Sequence, residues 1–189
     1  MRPPVPGTQF TYADFLLFPD DGKRHEIIDG EHYVTPSPNR RHQRLVGRLF
    51  LAIGRYLSDH PACGEVFVAP FDVVLSFRDV VEPDLLFIAA DQVDILTEKN
   101  VQGPPALVVE VLSPGTRKKD AQIKRRAFER TGVREYWLVD PELDLVQVFR
   151  RSAEGTLLRT AELTAEDGHE LTTPFLPGCA IPLRDLFRE

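Results

Sequence analysis

The sequence has little cysteine, no long apolar run and no glycine-rich phosphate loop. Its two cysteines, Cys63 and Cys179, lie far apart, a spacing that fits neither a disulfide framework nor a zinc site. No apolar stretch approaches the roughly 20 residues of a membrane span, so we expect no membrane partner. The segment MRPPVPGTQF lacks the apolar centre of a signal peptide, which favours a cytoplasmic location.

The composition is that of a globular protein with unevenly distributed charge. A hydrophobic fraction of 42% with 28% charged residues excludes a disordered or fibrous chain. The net charge of −6 argues against a general nucleic-acid coat protein. Residues 115–134, however, carry eight basic and two acidic residues, a local charge of +6 that leaves −12 on the rest. This basic segment suits local contact with phosphates, and a solvated helix face explains it equally well.

A chain of 189 residues is long enough for one domain with a real core. It contains no internal repeat, low-complexity segment or Ser/Gly linker. We therefore predict a single domain over residues 1–189, with a core from about 10 to 150 and a C-terminal hairpin and tail over 145–189.

The N-terminal half alternates between helix and strand patterns. Thr11 with Asp14 predicts a short capped helix in TYADFLLF. RHEIIDGEHYVTPSP predicts two strands turned at Asp29-Gly30. Residues 39–58 have apolar positions three and four apart, which indicates an amphipathic helix. Three strand-like runs follow, EVFVA, FDVVLS and EPDLLFIA, broken by Pro70 and FRD, and then a loop through KNVQGPP.

A β-α-β unit is the most informative pattern in the chain. Strand ALVVEVL leads into a helix from about Arg117 to Thr131, which Gly132 closes before strand REYWLVD. The two strands should be parallel with a right-handed crossover. LVQVFRR and GTLLRTAEL then predict an antiparallel hairpin. Together the patterns indicate an α/β (α+β) fold, a mixed sheet flanked by helices.

Glu110 stands inside the apolar strand ALVVEVL. Burial of an unpaired carboxylate is costly, so it should be neutralised, paired or bound to a metal. Asp84, preceded by Pro83, begins another apolar strand, although turn chemistry would also explain it. If the strands are neighbours, both carboxylates can converge on Mg²⁺, a hard ion that prefers oxygen ligands.

Lys124 borders the apolar stripe of the crossover helix and could lean over the end of the Glu110 strand. There it would stabilise an attacking hydroxide or a charged phosphorane. Lys124 also follows Asp120 by four residues, and the alternative is an ordinary surface ion pair between the two.

These residues resemble the PD-(D/E)XK nuclease superfamily, with Pro83-Asp84 as "PD" and Glu110 as the second acid. More closely, HEIIDGEHYVTPSP, VEPDLLFI, VVEVLSPGT followed by DAQIK, and GVREYWLVDP resemble the Uma-type family of restriction-endonuclease-like proteins. The resemblance covers about residues 10 to 141 and implies a restriction-endonuclease-like core. One position departs from the superfamily pattern, because Leu112 stands where the strand lysine is expected.

The resemblance assigns the basic role to Lys124 in DAQIK, and Asp84 and Glu110 to the metal. It adds Glu26, in the EIIDG stretch, as a further acid near the metal, although a half-exposed polar residue is the alternative. The implied function is a Mg²⁺- or Mn²⁺-dependent nuclease acting on DNA or RNA, DNA being the expected partner, with a homodimer natural for cleaving two strands. The alternative is a non-catalytic dimerisation or partner-binding module that retains the fold.

Substrate contacts are expected from His42 and from the basic segment. His42 opens the long helix and could act as a base or a phosphate contact, or could be a surface residue without a role. In the basic segment, the residues expected to attract the nucleic-acid backbone are Arg117, Lys118 and Arg125.

Overall fold

The computed structural model describes residues 9–113, 115, 117 and 119–188. Lys118, one of the predicted substrate contacts, lies outside the described residues. The helices are α1 (Tyr12–Phe15), α2 (Arg40–Asp59), α3 (Arg125–Thr131) and α4 (Leu183–Phe187). Short 3₁₀ helices span Pro61–Cys63 and Ala90–Ile95, and a π-helix, Lys119–Lys124, leads directly into α3.

The described strands form two large sheets and one small one. The strands are β1 (Arg24–Ile28), β2 (Glu31–Thr35), β3 (Gly64–Val68), β4 (Val73–Ser76), β5 (Asp79–Val81), β6 (Leu85–Ala89), β7 (Val101–Gln102), β8 (Leu107–Val111), β9 (Glu135–Asp140), β10 (Leu145–Arg151), β11 (Leu157–Thr164), β12 (Glu170–Thr172) and β13 (Ala180–Pro182). One sheet has the order β2-β1-β5-β4-β7, the second β11-β10-β9-β8-β6-β3, and β12 pairs with β13. Both large sheets are mixed, since β4 and β7 are parallel and so are β8 and β9.

Capping and turn residues explain where α1, the β1–β2 hairpin and α2 form. Thr11 and Asp14 form a capping box at α1. Asp29 and Gly30 have φ values of 52° and 77°, the left-handed conformation that a two-residue hairpin turn needs between β1 and β2. The side chain of Asn39 caps α2 by accepting a hydrogen bond from the His42 amide at 2.9 Å. This cap fixes where α2 begins, and therefore where His42 lies.

The six-stranded sheet is covered on both faces. On one face, α2 packs through Leu45, Leu49 and Ile53, together with side chains of the C-terminal tail, in a cluster that also contains Val109 and Val111. On the other face, Val108 and Leu112 pack with α3 and with residues of the five-stranded sheet. Because side chains alternate along β8, Glu110 points to this second face, between the two large sheets.

Most predicted elements are present, with three differences. The predicted single mixed sheet is divided into two, and the segment FRD breaks the strand pattern as expected, but an additional strand, β5, begins at its Asp79. The KNVQGPP segment is not all loop, because Val101 and Gln102 form β7. The crossover helix starts with π winding rather than as a regular α-helix. Each difference involves pairing or winding that depends on contacts distant in sequence.

The predicted β-α-β unit is confirmed. Strands β8 and β9 are parallel with Glu110 beside Leu138, and Gly132 ends α3 with a φ of 106°. The β10–β11 hairpin is antiparallel as predicted. Among the described residues, no helix has the length and apolar character needed to cross a membrane.

Replacing Asn39 by Ala should lower the free energy of unfolding by about 1 kcal/mol, because the Asn39 side chain satisfies an amide at the first turn of α2. Urea unfolding followed by circular dichroism measures the change. Asn39→Ser keeps a capping oxygen and serves as the control. Equal unfolding midpoints for Asn39→Ala and wild type would show that the cap does not stabilise α2.

Candidate functional site

Asp84 and Glu110 lie at facing positions of neighbouring strands. Strands β6 and β8 are antiparallel, with Leu85 paired to Val109. The next pair in this register brings Asp84 opposite Glu110, at the start of β6 and the end of β8. Both side chains are buried, Asp84 at 3% exposure and Glu110 at 2%. The sheet thus brings together the two acids that the sequence singled out.

Lys124 is buried between carboxylates. Its Nζ lies 2.6 Å from Glu110 Oε1, 2.6 Å from Glu26 Oε1 and 3.9 Å from Asp120 Oδ1. Its side chain is only 2% exposed, so the reading of Lys124 and Asp120 as a surface ion pair is wrong. The π-helix that ends at Lys124 directs this side chain toward β8, an irregular winding that is frequent at functional sites.

Glu26 joins the cluster from β1 in the opposite sheet. Its Oε2 accepts from Lys119 Nζ at 2.7 Å and from Thr35 Oγ1 at 3.2 Å, while the Glu82 amide donates to its Oε1 at 3.1 Å. Burial opposes ionisation of Glu26, but the ammonium groups of Lys124 and Lys119 outweigh burial and lower its pKa to about 2. Glu26 is therefore a charged group inside the protein, not a half-exposed polar residue.

Asp84 is held by three donors. Its Oδ1 accepts from Arg24 Nη1 at 3.0 Å, and its Oδ2 lies 2.9 Å from His42 Nε2 and 2.9 Å from the Val111 amide. Burial raises the pKa of Asp84, but the contacts with His42, Arg24 and the Val111 amide outweigh it, and the pKa falls to about 2. His42 is 5% exposed, so it is not the surface residue that the alternative reading expected.

The pKa of Glu110 is shifted in the opposite direction to those of Glu26 and Asp84. Its burial raises its pKa well above the usual carboxyl range, and the nearby charges of Asp120, Asp84 and Glu26 raise it further, against the effect of Lys124. Lys124 is shared with Glu26 and does not fully compensate Glu110. The cluster therefore has more negative than positive groups and favours binding a proton or another cation.

Glu82 is a candidate that the sequence reasoning missed. Its side chain is buried, and among the described residues its Oε2 has no hydrogen-bond partner. Burial and the nearby Asp72 raise the pKa of Glu82 to about 7. The sequence did contain a signal for a buried acid at this position, because Glu82 interrupts the apolar run VVEPDLL just as Glu110 interrupts ALVVEVL.

Two of the acids, Asp84 and Glu82, border an open cleft of about 970 Å³. Asp84, Glu82 and His42 line it from one side, and Arg24 and Thr35 from β1 and β2. A second opening, lined by Asn39, His42, Asp84 and Val111, lies next to it. Solvent and a ligand can thus approach Asp84, whereas Lys124 lies behind it.

Arg117 and Arg125, the two predicted basic contacts that the structure describes, are not brought to this site. The Arg117 guanidinium pairs with Asp140 and, at 2.8 Å, with Glu142. The Arg125 guanidinium stacks on the ring of Phe149, 5.2 Å from its centroid. The basic groups at the site are instead Arg24, Lys119 and Lys124. Side-chain pairing, which the sequence pattern does not reveal, decides this distribution.

The donor set at Asp84 and Glu110 suits a hard divalent ion. Carboxylate oxygens are the ligands that Mg²⁺ prefers, and Mg²⁺ needs only one or two of them because it retains several waters. The excess of acids around Glu110 would be offset by such an ion. Among the described residues no group of three or more His, Cys, Asp or Glu side chains is arranged to hold a metal. The fit therefore rests on these two carboxylates.

Comparison with known proteins identifies the family and supports the fold. Residues 12–184 match the Uma2 family, described as "Putative restriction endonuclease". The chain belongs to the Uma2 family. A similar solved structure is that of a "putative nuclease belonging to DUF820" from Anabaena variabilis, with a TM-score of 0.78 and 18% identity over 94% of this chain and 97% of that one. No curated protein matches the chain. The predicted Uma-type family and the α+β fold are thus confirmed.

Acid should destabilise the protein through Glu26 and Asp84. Their pKa values fall from 4.5 and 3.8 to about 2 on folding, so the unfolded chain takes up protons first as the pH drops. The free energy of unfolding should fall between about pH 5 and pH 2, and should fall less in Glu26→Gln. Urea unfolding at several pH values tests this, with the exposed Glu98→Gln as control. The same pH dependence in Glu26→Gln and wild type would contradict the assignment.

Replacing Lys124 by Met should lower the free energy of unfolding by about 3–5 kcal/mol, since it leaves Glu110 buried without its ammonium partner. Adding Glu110→Gln to this variant should recover part of the loss, because the buried charge is removed. Lys99→Met, at an exposed position, is the control. A loss below about 1 kcal/mol would mean that the pair is not a buried ionic interaction.

Proposed function

We propose that this protein is a Mg²⁺- or Mn²⁺-dependent endonuclease that hydrolyses phosphodiester bonds in nucleic acid. The observation that carries the proposal is the arrangement of Asp84 and Glu110 on facing strand positions, with the Lys124 ammonium 2.6 Å from Glu110. Two neighbouring carboxylates, one of them at the cleft, and a lysine beside them are the groups that metal-assisted phosphodiester hydrolysis requires. Membership of the Uma2 family supports the same chemistry.

Each residue of the cluster would have a distinct task. Asp84 and Glu110 would hold the cation, which would lower the pKa of a water and neutralise charge on the phosphate. Lys124 would place a fixed positive charge beside the attacking oxygen, and Glu26 would keep the Lys124 ammonium in position. His42, bonded to Asp84, would orient that carboxylate. Arg24, whose side chain is 21% exposed, would be free to turn from Asp84 to a substrate phosphate.

The partner class is nucleic acid, and we propose DNA as the substrate. A symmetric dimer would bring two such clefts to the two strands of a duplex. Light scattering measures the dimer directly. Equal rates on matched DNA and RNA oligonucleotides would argue against a preference for DNA.

A non-catalytic module is the second candidate function. The observation that favours it is that Lys124, Lys119 and Arg24 already pair with the carboxylates of Glu110, Glu26 and Asp84. In this reading the cluster would only tie the two sheets together, and the fold would serve dimerisation or partner binding. Cation binding to the carboxylates distinguishes the two functions.

Supercoiled plasmid and single-stranded RNA, incubated with Mg²⁺ or Mn²⁺, test the proposed activity. Glu110→Gln and Asp84→Asn should each lower the cleavage rate by at least about 100-fold, because each removes one charged ligand with little change in shape. The exposed Glu98→Gln should cleave at the wild-type rate.

Cation binding has a readout that does not depend on activity. The melting temperature of the wild type should rise with added Mn²⁺, and that shift should be lost in Glu110→Gln and in Asp84→Asn. If the wild type neither cleaves nor responds to Mg²⁺ or Mn²⁺ in melting or calorimetry, the nuclease proposal is wrong and the non-catalytic function is supported.

A further inference from the structure

The first turns of α2 form an arginine surface outside the acidic cleft. Residues 40–48 contain four arginines and no acid, in a chain whose net charge is −6. Arg40, Arg44 and Arg48 are four residues apart and therefore share one face of the helix, about 6 Å apart along its axis. We call the surface formed by Arg40, Arg44, Arg48 and Arg188 the α2 arginine groove. It encloses about 230 Å³, and Leu45 and Phe187 form its apolar floor.

The position of these arginines is unfavourable for the helix itself. The N-terminus of a helix carries partial positive charge and is stabilised by acids, yet the first turn of α2 contains no acid and begins with Arg40 and Arg41. Arg44 follows Arg40 by four residues, a like-charge pair that also destabilises a helix. Helix stability therefore does not explain this sequence, and an anion bound at the groove would.

The groove has little internal charge compensation. Arg40 and Arg44 have no hydrogen bond or ion pair with any described residue. Arg48 donates to the carbonyl oxygens of Leu186, at 2.8 Å, and Arg188, which carry no net charge. Burial lowers the pKa of Arg48, and the charges of Arg188 and Arg44 lower it further, as expected for like charges in proximity, while Asp185 opposes this shift in part. Arg41 also lines this opening, but it pairs with Asp144 at 2.6 Å and is therefore not counted among the arginines of the groove.

The basic segment of residues 115–134 is, by contrast, largely used in internal contacts. Lys119 and Lys124 pair with Glu26, Arg130 pairs with Asp79, and Arg134 pairs with Asp91. Arg117 and Arg125 are engaged with Asp140 and Phe149. Arg126 is exposed and has no partner among the described residues. Among the described residues, Arg40 and Arg44 on α2 are unpaired arginines that line a groove next to the opening at Asp84.

The groove and the cleft are neighbours. Asn39 and His42 line the opening at Asp84, and Arg40, between them in sequence, lines the groove. A chain of phosphates that enters the cleft at Asp84 can therefore continue along α2. The four-residue spacing of the arginines gives successive contacts along such a chain.

We propose that the α2 arginine groove binds the phosphate backbone of the nucleic acid and directs it to the cleft at Asp84, with Arg40 and Arg44 as the contacts. The ligand is the sugar-phosphate chain outside the scissile bond, bound without reading its bases. This inference deepens the proposed nuclease function and rests on it for the identity of the anion, but binding can be measured without cleavage.

The test is binding of a fluorescein-labelled DNA duplex in EDTA, measured by anisotropy over a series of KCl concentrations. Each phosphate contact on a duplex contributes about 0.9 to the slope of log Kobs against log salt. Arg40→Gln/Arg44→Gln should lower this slope by about 1.8 and weaken binding at least about tenfold at 0.1 M salt. Arg126→Gln/Lys99→Gln, which removes the same charge from exposed positions outside α2, should leave the slope unchanged.

A stability measurement separates binding from folding. Because Arg40 and Arg44 oppose the helix dipole and each other, Arg40→Gln/Arg44→Gln should melt at the same temperature as wild type or slightly higher. A lower melting temperature with an unchanged salt slope would mean that these arginines are structural, and would overturn the inference.

The outcomes also separate this inference from the nuclease proposal. If Arg40→Gln/Arg44→Gln lowers the salt slope of duplex binding but the wild type never cleaves, the groove assignment is supported and the nuclease proposal is wrong. If Arg40→Gln/Arg44→Gln binds and cleaves like wild type, the groove assignment fails and the nuclease function stands. Binding of a polyglutamate peptide but not of DNA would identify a protein-docking surface and overturn the inference.

Discussion

The Lys124 ammonium is the group on which the interior between the two large sheets depends. It lies 2.6 Å from Glu26, on β1 of one sheet, and 2.6 Å from Glu110, on β8 of the other. Without it, Glu110 would lose its ammonium partner and Glu26 would keep only Lys119, in a region of low dielectric where an unpaired charge is costly. One side chain from the crossover segment thus allows two sheets with buried acids to pack together.

The sharing of Lys124 between Glu26 and Glu110 also leaves part of the negative charge of the cluster uncompensated. Lys124 is shared, so Glu110 is only partly compensated and its pKa rises, whereas Glu26 and Asp84 remain ionised. Under the proposed function, this buried region of excess negative charge beside an open cleft would bind the cation. The incompletely compensated carboxylates lower the stability of the fold, and they are the same groups that the proposed function would use.

Sequence reasoning found the main acids because burial and charge conflict visibly in a strand. Glu110 interrupts an apolar run, and the β-α-β pattern around it depends on local turn and capping signals such as Gly132. The same reasoning missed Glu82 and Arg24, and directed attention to Arg117 and Arg125, which lie elsewhere. A run of basic residues shows where charge is located in the chain, but its partners come from elements distant in sequence.

The sequence by itself determined the α+β fold class, the β-α-β unit and the acids that needed compensation, since these follow from periodicity, turn chemistry and the cost of burying charge. The family came from the resemblance of its motifs to those of known proteins. Only the tertiary structure decided that the strands form two sheets, that Lys124 bridges them, and that the unpaired arginines are those of α2. The physical reason is that a charge acts according to its distance from other charges in space, and the fold alone sets those distances.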